Sequence, residues 1–165
     1  MLSVEEALAR ILVDVKPTVV DTIPIERAAG RVLAETLTAR ITQPPFDASA
    51  MDGYAVRAED VAKLPARLKV IGQAAAGHPF HGTVGPGEAV RIFTGAPVPA
   101  GADAIVIQEN TTALDGFVEV REGTPDPGHI RRRGFDFKES EVILQAGRRL
   151  GPRELTLAAA AGYGE

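Results

Sequence analysis

RIFTGAPVPAGADAIVIQEN, residues 91–110, combines strand-forming runs with turn residues and indicates the fold class of this chain. Residues 89–93 and 104–108 are short apolar runs rich in β-branched side chains, a composition typical of strands. The Thr-Gly and proline positions between them prevent either strand from continuing. The stretch therefore predicts two strands joined by a rigid turn, which indicates a β-rich protein.

Further short strands are predicted on both sides of this stretch. The candidates are residues 68–75, 117–121, 131–137 and 141–144. Asp115-Gly116 predicts a hairpin turn between strands 104–108 and 117–121, because both positions tolerate a positive φ. Strands so closely spaced favour a small barrel or a curled sheet.

A helix is predicted over residues 3–16, where Ser3 and Glu6 have the spacing of a capping box. Its apolar positions recur with helical period at Val4, Leu8, Ile11, Leu12 and Val15. Pro17 is expected to end this helix. Residues 22–25 are predicted as a strand, residues 26–37 as a helical turn interrupted at Gly30, and residues 43–57 as a rigid loop without regular structure.

A second helix is predicted from Gly151-Pro152 to Ala161, with Pro at the first helical position and Gly162 as the stop. Residues 155–161 are almost wholly apolar, so this helix needs cover. Either it packs into the core of this chain or the natural chain continues.

The composition excludes several classes of protein. The 165 residues contain no cysteine, so disulfides and thiolate metal sites are excluded. No apolar run is long enough to span a bilayer and the first residues do not resemble a signal peptide, so we expect no membrane contact and a cytoplasmic location. The net charge of −4 argues against nucleic-acid binding. His78 and His81 lie in a Gly/Pro-rich stretch and are interpreted as exposed loop residues, not as metal ligands.

Asp52 is the first candidate for chemistry, within SAMDGY at residues 49–54. An Asp beside a Gly in a proline-stiffened loop can hold its carboxylate at a fixed point, and the Gly lets a ligand approach the backbone. The alternative is a turn in which the Asp bonds its own backbone. From spacing alone the turn is favoured, because Asp-Gly is a common turn signal.

Thr94-Gly95 is the second candidate, at the end of a strand in IFTGAPVP. Free N–H groups and a hydroxyl at such a strand end can bind a small oxyanion. The alternative is an edge strand that ends in a rigid turn, and the pattern does not decide between them. Arg131, Arg132 and Arg133 are the third candidate. A solvated strand, or pairing with acids such as Asp136, is favoured over a phosphate clamp, because neighbouring strand residues face opposite sides.

Three segments together carry a resemblance to one family: PPFDASAMDGYAVR at residues 44–57, the opening stretch at 91–110, and IRRRGFDF at 130–137. In this order they resemble the MoeA/gephyrin-type molybdopterin molybdenumtransferases. The resemblance implies an α+β, β-rich fold of two lobes, with coiled or bifurcated sheets. Residues 1–40 and 138–165 would form a discontinuous first domain that dimerises. Residues 41–137 would form an inserted, small barrel-like second domain.

The resemblance also implies a function. In this family, molybdenum passes from molybdate into adenylated molybdopterin, in a cleft shared by the subunits of a homodimer. Asp52 and Thr94 would be the catalytic residues of this chain. The substrate-binding residues would be Ser49, Met51, Gly53, Gly95 and Arg131. The family enzyme uses Mg²⁺ and molybdate, which are held by a third domain, and this chain is expected to bind neither. A MogA-type adenylyltransferase and later cofactor-maturation proteins would be its partners.

Two departures from the family pattern qualify this expectation. Phe135 follows the arginines where relatives carry an acidic residue, which weakens a binding role there. No P-T-G-D-E-type loop of the third domain occurs, so we expect a piece of a longer protein rather than a truncated gene product. The alternative function is a non-catalytic interaction module on the same scaffold. The MDGY and TGAPVP loops favour the insertase, because a scaffold does not need them.

Overall fold

The computed structural model describes residues 2–16, 18–123 and 125–165. These ranges contain two α-helices, α1 (Val4–Leu12) and α2 (Pro152–Ala160). The strands of the same ranges are, in chain order, β1 (Leu37–Thr38), β2 (Ala48–Ser49), β3 (Gly53–Val56), β4 (Ala66–Ala74), β5 (Glu88–Ile92), β6 (Ala104–Ile107), β7 (Thr111–Leu114), β8 (Phe117–Val120), β9 (Ile130–Arg131) and β10 (Val142–Leu144).

The largest sheet has six strands in the order β6-β3-β5-β4-β8-β7. The β4–β5 pair is parallel and the other neighbours are antiparallel. The sheet curls into a half-barrel, and with the two helices it confirms the predicted β-rich α+β fold. Two smaller antiparallel sheets pair β1 with β10 and β2 with β9.

Both faces of the six-stranded sheet are covered by apolar side chains. In β3, Tyr54 and Val56 belong to one buried cluster, whereas Ala55 belongs to another. Successive strand residues point to opposite faces, so a strand buried throughout must lie between two cores. The apolar runs of the sequence follow from this arrangement, because neither face of β3 needs polar residues.

A third core cluster brings Ala39 and Ala161, from the two parts of the predicted first domain, together with Phe137, the last residue of the predicted second domain. Leu37 pairs with Leu144 across the β1–β10 sheet. The expected division into a discontinuous first domain and an inserted second domain stays a prediction, and this cluster is the contact on which it depends.

The two helices begin as the sequence predicts. The Glu6 N–H donates to Ser3 Oγ at 3.1 Å, and the Ser3 N–H donates to Glu6 Oε2 at 3.0 Å, which confirms the capping box. Helix α1 ends at Leu12, earlier than predicted, and Pro17 lies outside the described residues. Gly162 follows α2 with a φ of +97°, as expected of a stop.

The two helices are buried to different extents. No residue of α1 is buried, and its apolar side chains are exposed. In α2, Ala158 is buried, and Ala161 directly after the helix belongs to the third core cluster. The chain itself therefore covers one face of α2.

Some predicted elements are wrong. Residues 22–25 form no strand, because Pro24 offers no N–H and a 3-10 turn begins at Ile25. That turn, Ile25–Arg27, is the only helical part of residues 26–37. The rigid loop predicted at residues 43–57 contains β2 and β3, because the prolines restrain only its first residues.

The Asp115-Gly116 turn is confirmed, but the strand before it is β7 and not residues 104–108. A two-residue turn requires its first strand to end directly before it, and β6 pairs with β3 instead. The predicted strand at 131–137 stops at Arg131, because Gly134 adopts a φ of +72° and opens a turn. In the described part of the chain, no helix is long and apolar enough to cross a membrane.

Candidate functional site

The three segments that carry the family resemblance meet in one place. Strand β2 of the first segment pairs with β9 of the third, with Ala48 opposite Arg131. Ala48 also forms a bridge with Pro97 of the second segment. Residues more than thirty positions apart in the sequence are thus held side by side by main-chain hydrogen bonds.

Ser49 fixes the first segment to the second. Its N–H donates to the Ala96 carbonyl at 2.9 Å, and its carbonyl accepts from the Gly95 N–H at 2.8 Å. The Ser49 hydroxyl is buried and donates to the Met51 carbonyl at 2.6 Å. This side chain therefore shapes the turn that leads to Asp52, and direct substrate binding by Ser49 stays a prediction.

Asp52 is held by Thr94. Its Oδ1 accepts a hydrogen bond from the Thr94 N–H and another from the Thr94 hydroxyl, each at 2.8 Å. The interpretation of Asp52 as a turn residue that bonds its own backbone is therefore wrong. The Thr94 N–H, the Thr94 hydroxyl and, more weakly, the Arg91 charge lower the pKa of Asp52, so the carboxylate is ionised at neutral pH.

The oxyanion site, one of the two alternatives left open at Thr94-Gly95, is not formed in this conformation. Both Thr94 donors are used by Asp52, and the Gly95 N–H is used by Ser49. Gly95 has a φ of +82°, so it provides the left-handed turn after the strand. Asp52 Oδ2 makes no hydrogen bond within residues 2–16, 18–123 and 125–165. The pair therefore presents a charged acceptor beside two exposed residues, Thr94 and Gly95.

Gly53 and Met51 flank Asp52 in different environments. A Cβ on Gly53 would overlap the Val106 carbonyl oxygen of the neighbouring strand β6. The lack of a side chain at Gly53 thus allows β6 to lie close to β3. The approach of a ligand to the main chain at Gly53 stays a prediction. Met51 is exposed, with 38% of its surface accessible, so it can contact a bound molecule.

The arginines are paired, as favoured from the sequence. Arg131 donates to Asp136 at 2.6 Å, and Arg132 donates to Asp47 at 2.7 Å. Arg131 also lies over the ring of Phe135, 5.6 Å from its centre. Arg131 stands opposite Ala48 but has no hydrogen bond to Asp52 or Thr94 among the described residues.

Two site residues were missed by the sequence analysis. The first is Asp47, whose carboxylate accepts from the Arg133 N–H at 2.7 Å as well as from Arg132. The Arg133 N–H is the main cause of the lowered pKa of Asp47, to which Arg132 adds. The sequence contains the acid in the first segment and the arginine run in the third, but no spacing rule predicts that the two segments meet.

The second missed residue is Arg91 on β5, which lies over the rings of Tyr54 and Phe93 at 5.1 and 4.7 Å. It also donates to the Gly53 carbonyl at 3.0 Å. A charged residue in the apolar run AVRIF was the available signal. Such a charge in a strand needs a partner, and here the partners are the neighbours of Asp52 and Thr94.

Two surface grooves of the described chain lie away from Asp52 and Thr94. One, of about 440 Å³, is lined by residues 147–151 and Glu154. The other, of about 810 Å³, lies between α2 and residues 135–137. The described residues contain no group of three His, Cys, Asp or Glu side chains that could hold a metal ion. His78 and His81 are exposed, as predicted.

Comparisons with known proteins agree on one family. Residues 2–162 match the family model described as the MoeA N-terminal region, domain I and II. A molybdopterin molybdenumtransferase of Haemophilus influenzae is 39% identical over all of this chain and 41% of its own length. Molybdopterin molybdenumtransferase 2 of Mycobacterium tuberculosis is 43% identical over 87% of this chain and 36% of its own length.

The solved structures agree with this. The crystal structure of the molybdopterin biosynthesis moeA protein from Pyrococcus horikoshii OT3 superposes with a TM-score of 0.81 at 35% identity. The match covers 87% of this chain and 39% of that chain. The chain thus spans about two fifths of the length of the relatives that it matches.

Proposed function

The chain belongs to the MoeA N-terminal region family, and on this premise we propose that it forms the first two domains of a molybdenum insertase. In the whole protein, molybdenum is transferred from molybdate into adenylated molybdopterin. This chain supplies a dimer interface and one half of an active cleft, and the third domain of the partner subunit supplies the other half. We place the protein in the cytoplasm, where a MogA-type enzyme provides the substrate and maturation proteins receive the product.

One observation carries the proposal. The ionised Asp52 carboxylate is held from one side by Thr94, while its second oxygen makes no hydrogen bond within the described residues and lies outside the two grooves described above. An acceptor placed in this way needs a facing surface to form a closed site. The third domain of a second subunit is the surface that the family resemblance implies.

The chemistry at Asp52 follows from its charge. A carboxylate repels molybdate, so it is suited to accept hydrogen bonds from pterin N–H groups or from a metal-bound water. Thr94 keeps one carboxylate oxygen fixed, which orients the other toward the substrate. Met51 would contribute apolar contact to the bound pterin, with Gly53, Gly95, Ser49 and Arg131 shaping the surface around it.

The described residues do not fit a Mg²⁺ site. Mg²⁺ needs near-octahedral oxygen ligands, and here one carboxylate has one of its two oxygens already occupied by Thr94. We therefore assign Mg²⁺ and molybdate to the third domain of the whole protein. This chain binds and orients the pterin from the opposite side of the cleft.

Mixed dimers test the shared cleft. A full-length protein with Asp52→Asn is co-expressed with residues 1–165, a segment that carries Asp52, matches the first two domains of the family and should be inactive alone. If the cleft is shared between subunits, the chain supplies the missing carboxylate and restores part of the insertion activity. The matched control is the same chain carrying Asp52→Asn, which should restore nothing. A mixed dimer that forms without any restored activity would contradict the shared cleft.

A further inference from the structure

Arg91 connects the strands on both sides of the Asp52–Thr94 pair. Its Nη1 donates to the Gly53 carbonyl at 3.0 Å, and its Nη2 donates to Gln108 Oε1 at 2.6 Å. The main chain of Gln108 in turn donates to the Asp52 carbonyl at 3.0 Å. Arg91 therefore holds the residue after Asp52 and the residue that bonds the Asp52 main chain.

The guanidinium also restrains the Thr94 side of the pair. It lies 4.7 Å from the centre of the ring of Phe93, the residue that precedes Thr94 in the sequence. It also lies 5.1 Å from the centre of the Tyr54 ring. Tyr54 is buried in the core of the sheet, so it gives the guanidinium a fixed support. Stacking on two rings together with two in-plane donations leaves the guanidinium little freedom.

We propose that Arg91 is a positioning residue, which sets the place and direction of the Asp52 carboxylate through Gly53, Gln108 and Phe93. This rests on the proposed function of the Asp52–Thr94 pair. Arg91 forms no ion pair with Asp52 within the described chain, so it acts through the main chain and not as a partner of the carboxylate. Its charge adds a small part to the lowered pKa of Asp52, after the two Thr94 hydrogen bonds.

Lysine cannot replace arginine in this role. A lysine keeps the positive charge near Asp52, but its ammonium is a point charge without a planar fork or a flat face. Arg91→Lys should therefore leave the sheet folded and the carboxylate ionised, while the carboxylate loses its fixed direction. Because small displacements of a reacting or orienting group are costly, we expect about a tenfold or greater fall in kcat in the full-length protein.

A double-mutant cycle distinguishes positioning from a structural role. If Arg91 acts through Asp52, Arg91→Lys should lower activity about tenfold in the wild type and less than about twofold in the Asp52→Asn protein. The matched control is Arg67→Lys, which changes an arginine of the same sheet that stacks on Phe117 and lies outside the three segments. This control should leave activity unchanged in both backgrounds.

A second variant tests the contact with Gln108 separately. Gln108→Leu removes the acceptor of Arg91 Nη2, whereas Gln108→Glu keeps an acceptor there and adds charge. We expect a loss with Leu, smaller than that of Arg91→Lys, and near-normal activity with Glu. The Leu effect should also vanish in the Asp52→Asn background.

The outcomes separate this proposal from the one on which it rests. If Asp52→Asn alone keeps full activity, the proposed function of Asp52 fails, whatever Arg91 does. If Asp52→Asn is impaired and the losses from Arg91→Lys and Asp52→Asn simply multiply, Asp52 keeps its role and the positioning role of Arg91 is overturned. Full activity of Arg91→Lys would overturn it as well. A strong loss that depends on the presence of Asp52 supports it.

Discussion

The Arg133 N–H donates to Asp47 Oδ1 at 2.7 Å and joins the first resemblance segment to the third across 86 positions of the chain. Arg132 Nη1 donates to the other oxygen of the same carboxylate. The Asp47 carboxylate thus connects the residue before β2 with the residues after β9, next to the β2–β9 pair. The surface around Asp52 depends on this junction, because β2 leads directly into residues 49–52.

Asp47→Ala should lower the stability of the chain without changing its fold. The loss removes two charge-assisted hydrogen bonds, and because Asp47 is partly exposed we expect about 1 to 2 kcal/mol. Urea unfolding at neutral pH measures it. Glu139→Ala is the control, since Glu139 is exposed. Equal stability of the two variants would show that the Asp47 junction contributes nothing.

The Asp47 carboxylate in this junction predicts that the stability of the fold depends on pH. The pKa of Asp47 is lowered in the folded protein from its ordinary 3.8, so its ionisation stabilises the fold above that pH. The contribution is lost as the pH falls through the lowered value. The stability difference between wild type and Asp47→Asn should therefore be constant near neutrality and shrink below about pH 4. A difference that stays unchanged at pH 3 would argue against it.

The sequence predicted much of the sheet but little of how its segments meet. Apolar runs and turn signals located β4, β5, β6 and β8, because both faces of the sheet are buried. The contact of Asp52 with Thr94 spans 42 positions, and no local pattern indicates it. Local reasoning favoured an Asp-Gly turn, whereas the family resemblance grouped Asp52 with Thr94, and the structure brings these two side chains into contact.

The errors have a common cause. Strand β7 and the pairing of β6 with β3 depend on which strands meet in three dimensions. Arg91 was overlooked because its role depends on Gly53, Gln108 and Phe93, which no short motif contains. Periodicity locates an element, while tertiary contacts decide what the element is used for.

Gly53→Ala is expected to destabilise the sheet through a backbone clash. Its Cβ would meet the Val106 carbonyl oxygen, which belongs to the β6 main chain and cannot rotate away. Overpacking of this kind costs about 1 to 3 kcal/mol. Gly164→Ala is the matched control, since a Cβ there meets nothing within 4 Å. Similar melting temperatures for both variants would refute the close approach of β3 and β6.

The exposed apolar face of α1 predicts self-association. Leu8 and Ile11 are 55% and 71% exposed on a capped helix, and their burial between two copies would stabilise a dimer. We expect a dimer in sedimentation at tens of micromolar, a range typical of moderate interfaces. Leu8→Glu should give monomers, whereas Arg10→Glu on the other side of α1 should not. A wild-type chain that stays monomeric would contradict the proposed dimer interface.

Thr94 should contribute less to activity than Asp52. In the full-length protein, Thr94→Val removes the hydroxyl bond to Asp52 but keeps the main-chain bond. The lost bond is donated to an ionised carboxylate, but the main-chain bond still holds that oxygen, so we expect a fall in rate of about tenfold, at the low end for a hydrogen bond to a charged group. Thr94→Ser keeps the hydroxyl and should stay close to wild type. If Thr94→Ser loses activity while Thr94→Val keeps it, the methyl group and not the hydroxyl matters at this position.

The insertion activity of full-length Asp52→Asn, measured beside its melting temperature, shows whether the Asp52 carboxylate acts on the substrate or only links two loops. Asn keeps an oxygen that can accept both Thr94 hydrogen bonds, so the loop should be preserved and the melting temperature should fall only slightly, while the charge is lost. If the carboxylate orients the bound pterin, activity should fall about tenfold to a hundredfold. A protein with unchanged melting temperature and unchanged activity would contradict the account and leave Asp52 as a structural link between two loops.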